Sequence, residues 1–136
     1  MARTPQTSNE QRRIEIADLL LRLRRIGVTD QKVLAAIEVV PRDIFVPVGS
    51  VSEAYAERAL PIDCGQSISA PSIVGLMTAA VELTDSERIL EIGAGSGYQA
   101  AILAKLARRV YTVDRFRTLV GAAEKRFAAL NLSNIT

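Results

Sequence analysis

At 136 residues, 49% of them apolar, the chain suffices for one domain with a buried core, and a net charge of +2 gives no argument for nucleic acid as a partner. There is no histidine and only one cysteine, Cys64, which excludes an internal disulfide, a histidine metal site and a histidine-based triad, so no metal is expected. The polar start Met1-Ala2-Arg3-Thr4-Pro5-Gln6 and the lack of a membrane-length apolar run point to a cytoplasmic protein, off the membrane.

Residues 8–26 read as the first helix. Ser8 and Gln11 form a capping-box pattern, Ile16, Leu19, Leu20 and Leu23 form an apolar stripe, and Gly27 ends it. Arg22, Arg24 and Arg25 on that helix read as a solvated face rather than a phosphate site. A second helix over 30–39, capped by Thr29, turns Val33, Leu34 and Ile37 inward and stops at Pro41. Residues 41–61 are punctuated by prolines and read as irregular. The word Ile68-Ser69-Ala70-Pro71 opens a third helix that runs to about residue 83. Ser69 stands at its N-cap, and Pro71 in the first turn loses no needed N–H. Ile73, Val74, Leu76, Met77, Ala80 and Val81 give the helix a broad apolar face. A strand over 88–92, a helix over 99–104, a strand over 110–113 and a helix over about 119–130 follow, and residues 134–136 look like entry into a third strand.

Two convincing strands make a poor parallel sheet, which needs more strands and cover on both faces. The chain therefore reads as α/β, the first part of a larger Rossmann-like, doubly wound domain. Residues 1–84 form a helical and irregular N-terminal region, and 85–136 the first part of the nucleoside-binding unit. Residues 1–136 by themselves are expected to be marginally stable or self-associating through an open sheet edge, and to turn over negligibly.

The most informative stretch is Arg88-Ile89-Leu90-Glu91-Ile92-Gly93-Ala94-Gly95-Ser96-Gly97-Tyr98. It is a strand, a glycine turn and the start of a helix. A second strand ends in Asp114, 21 residues after Gly93. A glycine turn followed by an acid near that distance holds a nucleoside, with the carboxylate on the ribose hydroxyls. The spacing is G-x-G-x-G, not the G-x-G-x-x-G of dinucleotide sites, because Tyr98 fills the sixth place. Glu91 would repel a pyrophosphate but suits a cation. S-adenosylmethionine carries a sulfonium, an ammonium and a ribose, and no phosphate, so it is the expected cofactor. A dinucleotide, or a turn that merely shapes the junction, are the alternatives.

Several further words share one order along the chain: Val40-Pro41-Arg42-Asp43-Ile44-Phe45-Val46-Pro47, Ala54-Tyr55, Leu60-Pro61-Ile62 and Gly65-Gln66-Ser67-Ile68-Ser69-Ala70-Pro71, then the glycine turn. In this order they resemble the protein-L-isoaspartate O-methyltransferases over essentially the whole chain. The glycine turn alone would indicate only the wider class I methyltransferases. The resemblance implies methyl transfer from S-adenosylmethionine to the free α-carboxylate of L-isoaspartyl residues in damaged proteins and peptides, which are the implied partners. It implies that Ser69, with Ser67 beside it, holds that carboxylate, and that Glu91, Gly93, Gly95, Gly97 and Asp114 hold the cofactor. Without the flanking word, Ser69 reads as a helix cap and nothing more. Cys64 stands where bacterial members commonly carry His, and with no histidine to activate it, neither a nucleophile nor a metal ligand is expected. Another class I methyltransferase, or a non-catalytic remnant that acts at most as a binding module, are the competing readings.

Overall fold

The computed structural model describes residues 5–136. Residues 1–4, part of the polar start noted above, lie outside the described residues. Helix α1 spans Pro5–Arg25, so it begins before Ser8, and the capping-box pattern falls inside the helix instead of at its start. Proline at the first helical position loses only an N–H that would have been unpartnered anyway. The C-terminus follows the sequence reading. Gly27 has φ +101°, its N–H reaches Arg24 O at 3.1 Å, and the Val28 N–H reaches Leu23 O at 2.9 Å. Val28 and Leu23 are both buried, which completes a Schellman stop. Helix α2, Gln31–Val39, is capped by Asp30, not Thr29: the Asp30 carboxylate accepts the Lys32 N–H at 2.9 Å.

The proline-rich stretch folds into two 3₁₀ segments, Arg42–Phe45 and Val48–Glu53, and then a hairpin of β1, Leu60–Pro61, and β2, Ser67–Ile68. Strands so short carry no periodic signal. Helix α3, Pro71–Val81, follows directly. Strand β3, Arg88–Ile92, enters the glycine turn, α4 spans Tyr98–Ala104, β4 spans Arg109–Val113, and α5 spans Arg117–Ala129. Asn131, at φ +55°, ends α5 by the same device as Gly27, with the Leu132 N–H on Phe127 O at 2.9 Å.

β3 and β4 are parallel, with Glu91 opposite Thr112 and Ile92 opposite Val113. The predicted third-strand entry is present: Ile135 bridges Val110 in parallel, on the other side of β4 from β3. One face of this sheet packs on α4, where Ala100, Ala101 and Val110 are fully buried. The opposite face carries Leu90, Ile92, Tyr111 and Val113, and Ile92 is 77% exposed. The core continues through α1, α2 and α3, where Leu19, Leu23, Leu34 and Ile37 pack with Phe45 and Tyr98. The broad apolar face of α3 is only partly covered. Val74 is buried, while Met77 is 61% exposed, and Ile73, Leu76 and Val81 are open as well. Among the described residues, no helix is long and apolar enough to cross a membrane.

Candidate functional site

A cavity of about 420 Å³ opens between α3, β3 and the glycine turn. Ser67, Ser69, Glu91, Gly93 and Gly95 line it, so the fold brings the Ser67–Ser69 segment and the glycine turn to one space. The hairpin delivers Ser67 and Ser69, because Pro61 pairs with Ser67 and Leu60 with Ile68, and α3 starts two residues past Ser69.

The turn is pinned from β4. The N–H groups of Gly93 and Ala94 both donate to Val113 O, at 2.8 and 2.9 Å, and the Gly95 N–H donates to Asp114 Oδ2 at 2.9 Å. The three glycines serve two purposes. Gly93 has φ +94° and faces open space, since a Cβ built there meets nothing within 4 Å. Gly95, at φ +53°, is nearly as open. Gly97 does not line the cavity. It precedes α4 at φ +89°, and a Cβ there would lie 2.9 Å from the Phe127 ring. Its missing side chain lets the start of α4 pack closely on α5.

Asp114 also stands outside the cavity lining. Its half-buried carboxylate holds the Phe116 N–H at 2.9 Å through Oδ1, besides the Gly95 N–H, and these bonds keep its pKa below the usual aspartate value. A carboxylate has lone pairs beyond the two used here. Glu91 lies at the cavity wall and accepts the Thr112 hydroxyl at 2.6 Å from directly across the strand pair. Desolvation, opposed in part by that hydrogen bond and assisted by the charge of Asp114, raises its pKa from 4.5 to about 7.

Ser69 is not the cap of α3. Ala70 holds that position and makes no side-chain cap bond. The Ser72 N–H at the helix start donates to Glu57 at 3.2 Å, and the Ile73 N–H turns back to Ala70 O at 3.1 Å. Pro71 has no N–H to offer. The helix N-terminus is thus served by a carboxylate from another segment, and it gives Ser69 no anion site. Among the arginines read as solvated, Arg22 is an exception: it donates to Tyr55 O at 3.0 Å and pairs with Glu57 at 3.1 Å. Cys64 is exposed, at φ +60° in the turn between β1 and β2. Among the described residues, no group of three or more His, Cys, Asp or Glu side chains could hold a metal.

The sequence reading missed three cavity residues. Tyr98, which the glycine spacing marks only as the residue in the sixth place, is buried and lines the cavity. Gln99 and Thr78 form a relay. The Thr78 hydroxyl donates to Val74 O at 2.7 Å, so it must accept the Gln99 amide N–H at 2.8 Å. That leaves Gln99 Oε1 with no partner among the described residues. The signal was faint, because helical spacing alone shows neither contact.

A family model, Protein-L-isoaspartate(D-aspartate) O-methyltransferase (PCMT), matches residues 14–136. The chain belongs to this family. It is 60% identical over 117 residues to the protein-L-isoaspartate O-methyltransferase of Maricaulis maris, covering 86% of this chain and 55% of that protein. Against the one from Rhodospirillum centenum it is 56% identical over 118 residues, covering 87% of this chain and 53% of the relative. The chain thus spans about half the length of the curated relatives it matches. A solved protein-L-isoaspartate O-methyltransferase structure superposes with TM-score 0.77 and 27% identity, covering 88% of this chain and 40% of that one. A Plasmodium falciparum structure, described as a protein-L-isoaspartate O-methyltransferase in complex with S-adenosyl-L-homocysteine, gives TM-score 0.71 at 23% identity, covering 87% of this chain and 59% of that one. The fold is therefore the first part of a class I methyltransferase, Rossmann-like unit, preceded by helices.

Proposed function

We propose that this chain provides the cofactor turn and the carboxylate-binding segment for methyl transfer from S-adenosylmethionine to the free α-carboxylate of L-isoaspartyl residues in damaged proteins. The observation that carries this reading is the shared cavity, with the Ser67–Ser69 segment on one side and the Glu91–Gly95 turn on the other. The residues fit the cofactor. The volume falls within the range of about 300–1,000 Å³ typical of small-molecule sites. Gly93 leaves the backbone open to a ligand, and Glu91 is a partly desolvated carboxylate that a cation would hold ionised. The bound ligand in the Plasmodium falciparum relative supports the same choice.

When bound, S-adenosylmethionine supplies an electrophilic methyl group. The chain's own tasks are positional. An isoaspartyl carboxyl, with a pKa of about 4, is ionised at neutral pH, so the absence of histidine is no obstacle. The hydroxyls of Ser69 and Ser67 hold that carboxylate. Glu91 faces the cofactor's positive charge, and Asp114, with Gly95 on one oxygen, offers its remaining lone pairs to the ribose hydroxyls. Val74, Met77 and Val81 supply an apolar wall to the cavity, and the chain's main task is to align the carboxylate oxygen with the methyl group. Partners are isoaspartyl proteins and peptides, and self-association through the open side of the sheet.

The test is transfer of labelled methyl groups to an isoaspartyl peptide and to the matching aspartyl peptide. Protein is kept in excess of S-adenosylmethionine, so that a single turnover suffices. Ester on the isoaspartyl peptide alone is expected. Equal labelling of both peptides, or none with the cofactor bound, would reject the proposal.

A further inference from the structure

Arg42 is the largest fully buried side chain among the described residues. Burying a guanidinium carries a heavy desolvation penalty, and desolvation does lower its pKa. Yet it has no carboxylate partner. The neighbouring Asp43 pairs with Arg12, and Glu57 pairs with Arg22. The donors of Arg42 go to two backbone carbonyls instead: Nε to Ala54 O at 2.5 Å and Nη2 to Ser69 O at 2.7 Å. Its guanidinium carbon lies 4.9 Å from the centroid of the Tyr98 ring, and its own backbone N–H donates to the Tyr55 hydroxyl at 3.1 Å. Nη1 is buried and has no partner among the described residues.

These contacts tie four segments together: the 3₁₀ turn that carries Arg42, the loop at Ala54–Tyr55, the Ser69 segment, and the first residue of α4, which follows directly on the glycine turn. We infer that Arg42 is a positioning residue, which holds the Ser69 segment at a set distance from the glycine turn by bonding the Ser69 carbonyl while stacking on Tyr98. The inference rests on the role proposed for Ser69. Stability alone is a poor explanation for such a group, because an apolar side chain of similar volume would fill the space with no charge to desolvate. Only a planar fork with several donors serves two separate carbonyls and a ring face together. Lysine, a point charge, does not.

The experiment is a titration of the full chain, with arginine side-chain nitrogens and backbone amides labelled for NMR, against an isoaspartyl peptide and its aspartyl counterpart. The isoaspartyl peptide is expected to shift the Ser69 amide and the Arg42 Nε–H signals together, and the aspartyl peptide to shift neither. In Arg42→Lys, peptide affinity should fall about 10- to 100-fold while affinity for S-adenosylhomocysteine changes less than about twofold, a split that general loosening of the fold would not give. A Ser69 shift with no Arg42 response, or wild-type peptide affinity in Arg42→Lys, overturns the inference and leaves the Ser69 reading intact. No response at Ser69 overturns both. If Arg42→Lys does not fold, the joint response in the unaltered chain decides the matter by itself.

Discussion

Glu91→Gln offers the sharpest perturbation of the cofactor side. In the free protein the carboxyl titrates at about 7, raised chiefly by desolvation. A bound sulfonium or ammonium favours the ionised form, so binding must first remove whatever proton Glu91 holds. At pH 6 roughly nine-tenths of the carboxyls are protonated, and at pH 8 roughly one-tenth. If the complex keeps Glu91 ionised throughout, affinity for S-adenosylmethionine rises about tenfold across that interval, or about 1.4 kcal/mol. The cofactor's α-ammonium itself titrates at about 8, and Glu91→Gln shows that contribution alone. Calorimetry at pH 6, 7 and 8 and constant ionic strength measures both proteins. A parallel pH dependence in the two would refute the reasoning.

The same shift has a consequence for stability, of opposite direction to the usual carboxylate. A carboxyl whose folded-state pKa is raised binds its proton more tightly when folded, so stability declines as pH rises from about 4.5 through about 7. Glu91→Gln can keep the Thr112 bond through its amide oxygen and carries no charge. It should melt higher than the unaltered chain at pH 8, by an amount equivalent to at most about 3 kcal/mol, and at the same temperature near pH 4.

Gly97→Ala should destabilise the fold by about 2–4 kcal/mol in urea titrations, combining a disfavoured positive φ with a methyl driven into Phe127. Gly93→Ala should lose only the conformational part, about 1–2 kcal/mol, because nothing lies near its Cβ, yet weaken cofactor binding by more than Gly97→Ala weakens it per folded molecule. Asp114→Ala should lower cofactor affinity by about 1–3 kcal/mol in calorimetry, and unchanged affinity would remove it from the site. Ser69→Ala should leave the melting transition within about 0.5 kcal/mol, since the residue caps nothing, while reducing isoaspartyl-peptide binding; a matching loss of stability would return it to a structural role. The open sheet face predicts concentration-dependent association in sedimentation runs, reduced by Val113→Lys, whose side chain is on that face and outside the cavity lining.

The elements with many residues per period were legible in the sequence. The stripe of α1, the Gly27 stop, the β3–turn–α4 unit and the entry of residues 134–136 into pairing all stand in the structure. What failed was local. Caps depend on which carboxylate or hydroxyl reaches an N–H, and the start of α3 is served by Glu57 from a loop fifteen residues back in the chain, beyond any local pattern. The two-residue strands that aim Ser67 and Ser69 leave no alternation to read. Arg42 lies within the proline-punctuated stretch, where no local pattern marks a buried residue, and its burial depends on contacts 12 to 56 positions away. The glycine turn was recognised as a unit, but spacing could not separate the glycines that face the cavity from the one that faces Phe127.

On the proposed function, cofactor and isoaspartyl carboxylate meet in the cavity between the Ser67–Ser69 segment and the glycine turn. A crystal structure of the chain with S-adenosylhomocysteine and an isoaspartyl peptide tests it most directly. Expected are the ribose hydroxyls on Asp114, the amino-acid end of the ligand beside Glu91, and the peptide carboxylate on Ser69 with its oxygen turned toward the ligand's sulfur. A nucleoside lying outside the cavity, such as against Tyr111 and Val113 on the open sheet face, or a carboxylate bound away from Ser69, would contradict it.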